Sequence, residues 1–149
     1  MAVPYLTAAF FCEKVLEEKN GSLSAIRIAD RVEVEEPSFE LPKDVKPGFA
    51  LSALVAVKSG PAKGKFTLKI VSESPSGKRS EGPVLPVTLE GGDHGQNFIV
   101  NFVMHLGEQG VYWFDVIFEE QVLTRIPLMV ARKQPAQPEK QETPQMKLP

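Results

Sequence analysis

Two histidines and one cysteine are the main candidates for acid–base, nucleophilic or metal chemistry in this chain. His94 follows Asp93 in the glycine-rich stretch Gly91–Gly95, so these two side chains could be two metal donors. Protein metal sites use three or four donors, and no third one is specified here, so the stretch predicts an exposed loop. His105 could be a general base, but no serine or cysteine is placed beside it, which leaves it as a polar residue on the outer face of a strand.

Asp30 is the candidate functional carboxylate. It shares its alternation with four aliphatic residues, Ile26, Ile28, Val32 and Val34. Either Asp30 points inward among them or a bulge shifts the register. A buried carboxylate must be hydrogen-bonded or paired, so Asp30 is either a site carboxylate or, as we favour, a structural one that ties a strand to loop backbone.

The single thiol, Cys12, alternates with Leu6, Ala8 and Phe10. Reactive thiols need a neighbouring cation or helix terminus, and Glu13 is closer in sequence than Lys14. The pattern therefore favours a small, buried or half-buried thiol.

The composition restricts the class of protein. The chain has 149 residues, 42% of them hydrophobic, and a formal net charge of −2. This length predicts one domain with a real core, and the near-zero charge argues against a nucleic-acid partner. One cysteine and two histidines predict no disulfide framework, no metal and no cofactor. We find no signal peptide and no apolar run of membrane-spanning length, and together with the lone thiol this predicts a cytoplasmic protein without a membrane partner.

Alternating apolar residues predict strands, because successive side chains of a strand point to opposite faces. Short runs of this kind lie between glycine and proline residues and occur at 49–57, 66–71, 97–106, 111–119 and 122–130. Many short strands separated by turns favour an all-β sandwich or barrel. We predict an antiparallel β-sandwich of seven to nine strands over residues 1–132.

Turn residues predict how these strands connect. Asn20-Gly21 predicts a hairpin, since both residues tolerate positive φ, and Glu119–Gln121 and Gly107–Gly110 predict two more. The stretch Glu13–Lys19 fits a strand or a two-turn helix closed by Gly21, and we prefer the strand because strand-like runs flank it. Residues 133–149 are rich in proline and glutamine and predict a disordered tail.

Two blocks of sequence resemble a family of small uncharacterised bacterial proteins. The first contains Cys12-Glu13-Lys14-Val15 and continues from Asn20 to Asp30, and the second runs from Gly110 to Val116 and from Leu123 to Val130. The second block is also similar to the closing hairpin of immunoglobulin-like sandwiches. The resemblance implies an immunoglobulin-like fold and no catalytic residue.

The outer face of the expected hairpin over 97–118 is unusually apolar. Five residues oppose the core set: Ile99, Val103, Val111, Trp113 and Ile117. A sheet face open to water normally alternates toward polar residues, so either another part of the chain or a partner covers this one. We predict a non-enzymatic protein-binding or assembly module that uses this face with a protein partner or in a homo-oligomer. The alternatives are a small-ligand-binding or enzyme-like domain using Asp30, His94 or His105, and an accessory domain of phage or secretion machinery.

Overall fold

The computed structural model of the protein describes residues 2–35, 48–105 and 107–133. The regular structure of these residues is all-β, as predicted. In chain order the strands are β1 (Tyr5–Glu17), β2 (Leu23–Ala29), β3 (Arg31–Glu35), β4 (Gly48–Glu73), β5 (Arg79–His105), β6 (Gly110–Phe118) and β7 (Gln121–Lys133). The predicted tail, apart from Lys133, lies outside the described residues.

The strands form one sheet in the order β2-β1-β4-β6-β7-β3, with β5 paired to β4. The β3–β7 pair is parallel, while the other strand pairs of the described chain are antiparallel. The sheet is therefore mixed, whereas the sequence predicted antiparallel pairing throughout.

Two long strands divide this sheet into two halves. Residues 48–58 of β4 pair with 95–105 of β5 and with β1, whereas residues 63–73 of β4 pair with 79–90 of β5 and, near their end, with β6. Between these segments the register shifts on both sides of Gly60, whose φ of 55° is in the left-handed region. We call β1, β2 and the 48–58/95–105 segments the first half, and the remaining strands the second half.

The sheet curls so that the inner faces of the two halves pack on each other. Phe11 of the first half contacts Phe114 of the second half, with 4.8 Å between ring centroids. It also contacts Phe102 of its own half, with 5.7 Å between ring centroids. The fully buried side chains include Phe11, Leu68, Leu128, Phe118, Val55, Val57, Val87, Val116 and Val130. The inward sets of β4, β5 and β6 follow the predicted alternation, because each of these strands has one face on this core, whereas Val122 of β7, predicted inward, is 50% exposed.

The predicted hairpin between 97–106 and 111–118 is wrong. Residues 95–105 pair with the first segment of β4, while β6 pairs with the second segment and with β7. Between His105 and Gly110 the chain therefore passes from one half of the sheet to the other. Alternation alone cannot distinguish such a crossing from a hairpin, because both connect two strands that face the same core.

Local turns agree with the sequence at other points. The ambiguous stretch after Cys12 is strand, since β1 continues to Glu17. A turn with Gly21 at φ 87° joins β1 to β2, and one with Glu119 at φ 54° joins β6 to β7.

Candidate functional site

The three polar candidates from the sequence lie in three different places. Asp30 is exposed at the break between β2 and β3, and its backbone carbonyl accepts a hydrogen bond from the Met129 N–H at 3.0 Å. Of the two alternatives left open for Asp30, the inward carboxylate is wrong, because the strand ends at Ala29 and a new one begins at Arg31. The tie to its surroundings is made by backbone and not by the carboxylate.

His94 lies within β5 rather than in a loop, and it is exposed. Its Nδ1 is 3.6 Å from a carboxylate oxygen of Glu90. Ser59, Thr88 and Gln96 lie in the same open depression. In the described parts of the chain, no three His, Cys, Asp or Glu side chains are placed to hold a metal ion.

His105 is exposed at the end of β5 and borders a second depression. That depression also contains Ser74, Ser76 and Glu108. Hydrogen bonds from the Ser76 and Ser74 hydroxyls hold the pKa of Glu108 below its usual value. These polar groups bind one another at an exposed turn, which explains their arrangement without a ligand.

Cys12 is fully buried, as the sequence favoured. Burial raises the pKa of its thiol, because a thiolate would lose its hydration there. Since the thiolate is the nucleophilic form, this thiol is chemically quiet at neutral pH.

Within the described chain, no helix has the length and apolar character needed to cross a bilayer.

A group of four charged side chains, which we call the ion-pair cluster, lies on the outer face of the second half: Glu73, Arg79, Asp115 and Arg125. Asp115 is 5% exposed. It accepts hydrogen bonds from Arg125 Nε at 2.6 Å and from an Arg79 terminal nitrogen at 3.1 Å. Arg125 also donates to Glu73 at 2.6 Å. Each arginine thus faces both acids, and the cluster is neutral as a whole.

The pKa of Asp115 reflects two opposing effects. Burial raises it, but the hydrogen bonds from Arg125 and Arg79 outweigh burial, so the pKa lies below its usual value. The bond to Asp115 likewise raises the pKa of the Arg125 guanidinium. This cluster was not predicted from the sequence, although Asp115 is a visible charged residue inside the otherwise apolar β6. Its partners come from β4, β5 and β7, and their positions depend on tertiary pairing.

The five residues predicted to form one binding face are divided among three environments. Ile99 and Val103 lie on the outer face of the first half, with 36% and 62% exposure. Val111 and Trp113 lie on the second half, where the Arg125 guanidinium is 5.2 Å from the Trp113 ring centroid. Ile117 is buried, at 9% exposure. The division follows from the crossing between β5 and β6.

Ile99 and Val103 belong to a larger surface that crosses four strands. Its residues form three rows across neighbouring strands, in which each residue is paired with the next: Phe10–Leu54–Ile99, Ile28–Cys12–Ser52–Asn101 and Ala50–Val103. We call these nine residues the uncharged face, since none carries a formal charge. Within this face, Ile28 and Val103 are 65% and 62% exposed, whereas Cys12 and Ser52 are buried. The Ser52 hydroxyl donates to the Asn101 side-chain oxygen at 2.5 Å, which pairs two of its few polar groups.

Comparison with known proteins places the chain in a family. Residues 7–131 match the model of a family of unknown function, DUF6941. The chain belongs to this family, which confirms the expectation of an uncharacterised family. No curated protein matches its sequence.

Several solved structures are similar to this fold at low sequence identity. A beta-glucosidase from Listeria innocua in complex with glucose has a TM-score of 0.43 and 9% identity, with 83% of this chain and 16% of that chain covered. A beta-glucosidase from Kluyveromyces marxianus has a TM-score of 0.38 and 18% identity, covering 66% and 14%. The chain thus spans about one-sixth of the Listeria enzyme. An immunoglobulin-like protein from Pseudomonas aeruginosa has a TM-score of 0.39 and 13% identity, covering 87% of this chain and 97% of that one.

Proposed function

We propose that this member of the DUF6941 family is a non-enzymatic protein-binding or assembly module that associates through the uncharged face. The observation that carries the proposal is the run of uncharged side chains across four neighbouring strands. A sheet face in water normally carries polar side chains at alternate positions. Here those positions hold Phe10, Leu54 and Ile99 in one row, and Ala50 and Val103 in the row beyond Ser52 and Asn101.

The composition of this face favours a protein surface as its partner. Extended apolar patches on soluble proteins mark interaction sites, and the centres of protein interfaces are depleted in charged residues. The partner is a second copy of the chain or another protein. The near-neutral net charge of −2 supports neither a nucleic acid nor an anionic membrane as the partner.

The proposed architecture is an immunoglobulin-like sandwich made from the two halves of the curled sheet. The ring contact of Phe11 with Phe114 supports it, because it joins the inner faces of the two halves. In such a sandwich the outer faces are the natural positions for partners. We place the protein in the cytoplasm on the strength of its unpaired, buried Cys12, which suits a reducing compartment.

The proposal is tested by placing a charge on the uncharged face. We expect Val103→Lys to keep the fold and to shift the protein to a smaller species in sedimentation velocity, or to abolish its capture of a partner. The matched control is Val84→Lys, since Val84 lies on the same strand and is also 62% exposed, but belongs to the second half. It should leave association unchanged.

Either of two results would contradict the proposal. One is equal sedimentation and equal cross-linking of the wild type and both variants in extracts of the native host. The other is an equal loss of association in both variants, because that would reflect charge in general and not this face.

A further inference from the structure

The interior holds a cavity that neither the uncharged face nor the ion-pair cluster uses. It has a volume of about 200 Å³ and lies between the inner faces of the two halves. Its lining comes from both halves and includes Phe11, Ala53, Val100, Phe102, Met104 and Phe114. Among the described residues of this lining, Ser72 is the one with a polar side chain.

The cavity exists because the inward face of β5 runs out of large apolar side chains. Along the second half this face carries Leu89, Val87 and Leu85, which pack on the core. The next inward position is Pro83, which is exposed and short. Gly82 beside it lies so close to β4 that an added Cβ would be 2.5 Å from the carbonyl oxygen of Ile70. A larger residue therefore does not fit at Gly82 without a shift of the backbone.

The cavity opens at an edge of the sheet. Strand β5 is paired only with β4 in the described chain, so its two segments border the same side of both halves. Gly82 and Pro83 on one segment are exposed, and Val100 on the other is half-buried. A small molecule can therefore enter between them without separating the paired strands.

We propose that this cavity binds a small, uncharged aromatic molecule of about the size of benzene or indole. An apolar cavity of about 150 Å³ is large enough to bind benzene. Three phenylalanine rings form part of the wall. The ring centroid of Phe102 lies 5.7 Å from that of Phe11 and 6.1 Å from that of Phe114. Rings in this arrangement offer edges and faces to a fourth ring, and the Met104 thioether adds a polarizable contact. An ionised ligand is disfavoured, because none of the described lining residues carries a charge to offset its lost hydration.

The test uses benzene and indole with the full-length chain. We expect titration to shift the NMR methyl signals of Val100, Met104 and Ile126 and to give a dissociation constant below about 1 mM. Cyclohexane, which has a similar size but no π system, should bind more weakly. Binding of cyclohexane as tight as that of benzene would overturn the aromatic assignment.

Two variants should block the site by different routes. Val100→Phe fills the entrance, while Ala53→Val adds volume to the wall and keeps the assay informative if the first variant does not fold. Each should weaken benzene binding at least tenfold. Val84→Phe makes the same change as the first variant on the outer side of β5 and should leave binding intact. Absence of methyl shifts in the wild type, or unchanged affinity in both cavity variants, would overturn the proposal.

Discussion

At the scale of single residues, the most consequential side chain is Asp115. It is a buried carboxylate on an outer sheet face, and two arginines hold it in its charged form. Those arginines are about half exposed, so their own charges stay hydrated. The arrangement avoids the main penalty of a buried ion pair, which is the removal of both charges from water.

Replacing Asp115 by asparagine should destabilise the fold in a pH-dependent way. We expect Asp115→Asn to lower the free energy of unfolding at pH 7 by about 1–3 kcal/mol, since hydrogen bonds between charged groups are lost. The folded pKa of Asp115 is below its unfolded value, which is about 3.9. Its contribution is therefore complete above that pH and disappears as the pH falls through the folded pKa. Urea unfolding at pH 7, 5 and 3 measures the difference.

The control for this prediction is Glu33→Gln. Glu33 pairs with Arg31 at 3.2 Å, but both side chains are exposed, at 44% and 56%. Exposed pairs contribute little, so this variant should unfold like the wild type at all three pH values. A constant deficit of Asp115→Asn from pH 7 to pH 3 would mean that packing, and not charge, explains the effect.

At the scale of strands, the paired β4 and β5 contain glycines that lie very close to the neighbouring backbone. Gly82 is the clearest case, because the ladder shifts register between Lys69 and Val71 directly opposite it. A methyl group there would meet the Ile70 carbonyl oxygen. The close approach allows the two strands to stay paired through the irregularity.

Alanine at Gly82 should therefore be costly. We expect Gly82→Ala to lower the free energy of unfolding by about 1–3 kcal/mol, because the backbone must shift to accept the methyl group. Gly107→Ala is the control, since an added Cβ at Gly107 meets nothing within 4 Å. Thermal unfolding of both variants measures the difference. Equal midpoints for the two variants would show that β5 moves freely at this point.

The strands themselves could be predicted from sequence, but their partners could not. Alternation identified the inward residues of β6 and most of those of β7, because side-chain direction is a local property of a strand. It failed at Val122, which is 50% exposed, next to the shift in register between β6 and β7. The pairing of β5 with β4 instead of β6 depends on contacts between residues as distant as Gly48 and His105. The same limit applies to the sites. The exposure of Trp113 could be predicted from its position in the alternation of β6. Its contact with Arg125 and its separation from Ile99 could not, because both depend on which strands pair.

At the scale of the whole molecule, the described fold closes without the residues that follow Lys133. Strand β7 ends there, and its last pair joins Lys133 to Glu35 of β3. The family match ends close by, at residue 131. The described part of the sheet thus ends before the proline-rich segment.

Deleting residues 134–149 should leave folding intact. We expect the thermal midpoint to stay within a few degrees of the wild-type value, because segments of this composition bury little apolar surface. Calorimetry of the truncated and full-length chains measures it. Loss of cooperative unfolding in the truncated chain would show that the segment packs on the domain.

The shared strands of the two halves also imply an order of folding. The β4–β5 ladder begins at Glu73–Arg79, next to a turn in which the Gly77 N–H donates to the Ser74 carbonyl at 2.8 Å. It ends at Gly48–His105. Each new pair closes only the small gap left by the previous one, so the chain can zip from this turn outward at little cost in loop-closure entropy. The parallel pairing of β3 with β7 joins the most distant segments and should form last. The turn near Gly77 thus becomes the natural nucleus for both halves at once, even though it lies at the end of only one of them.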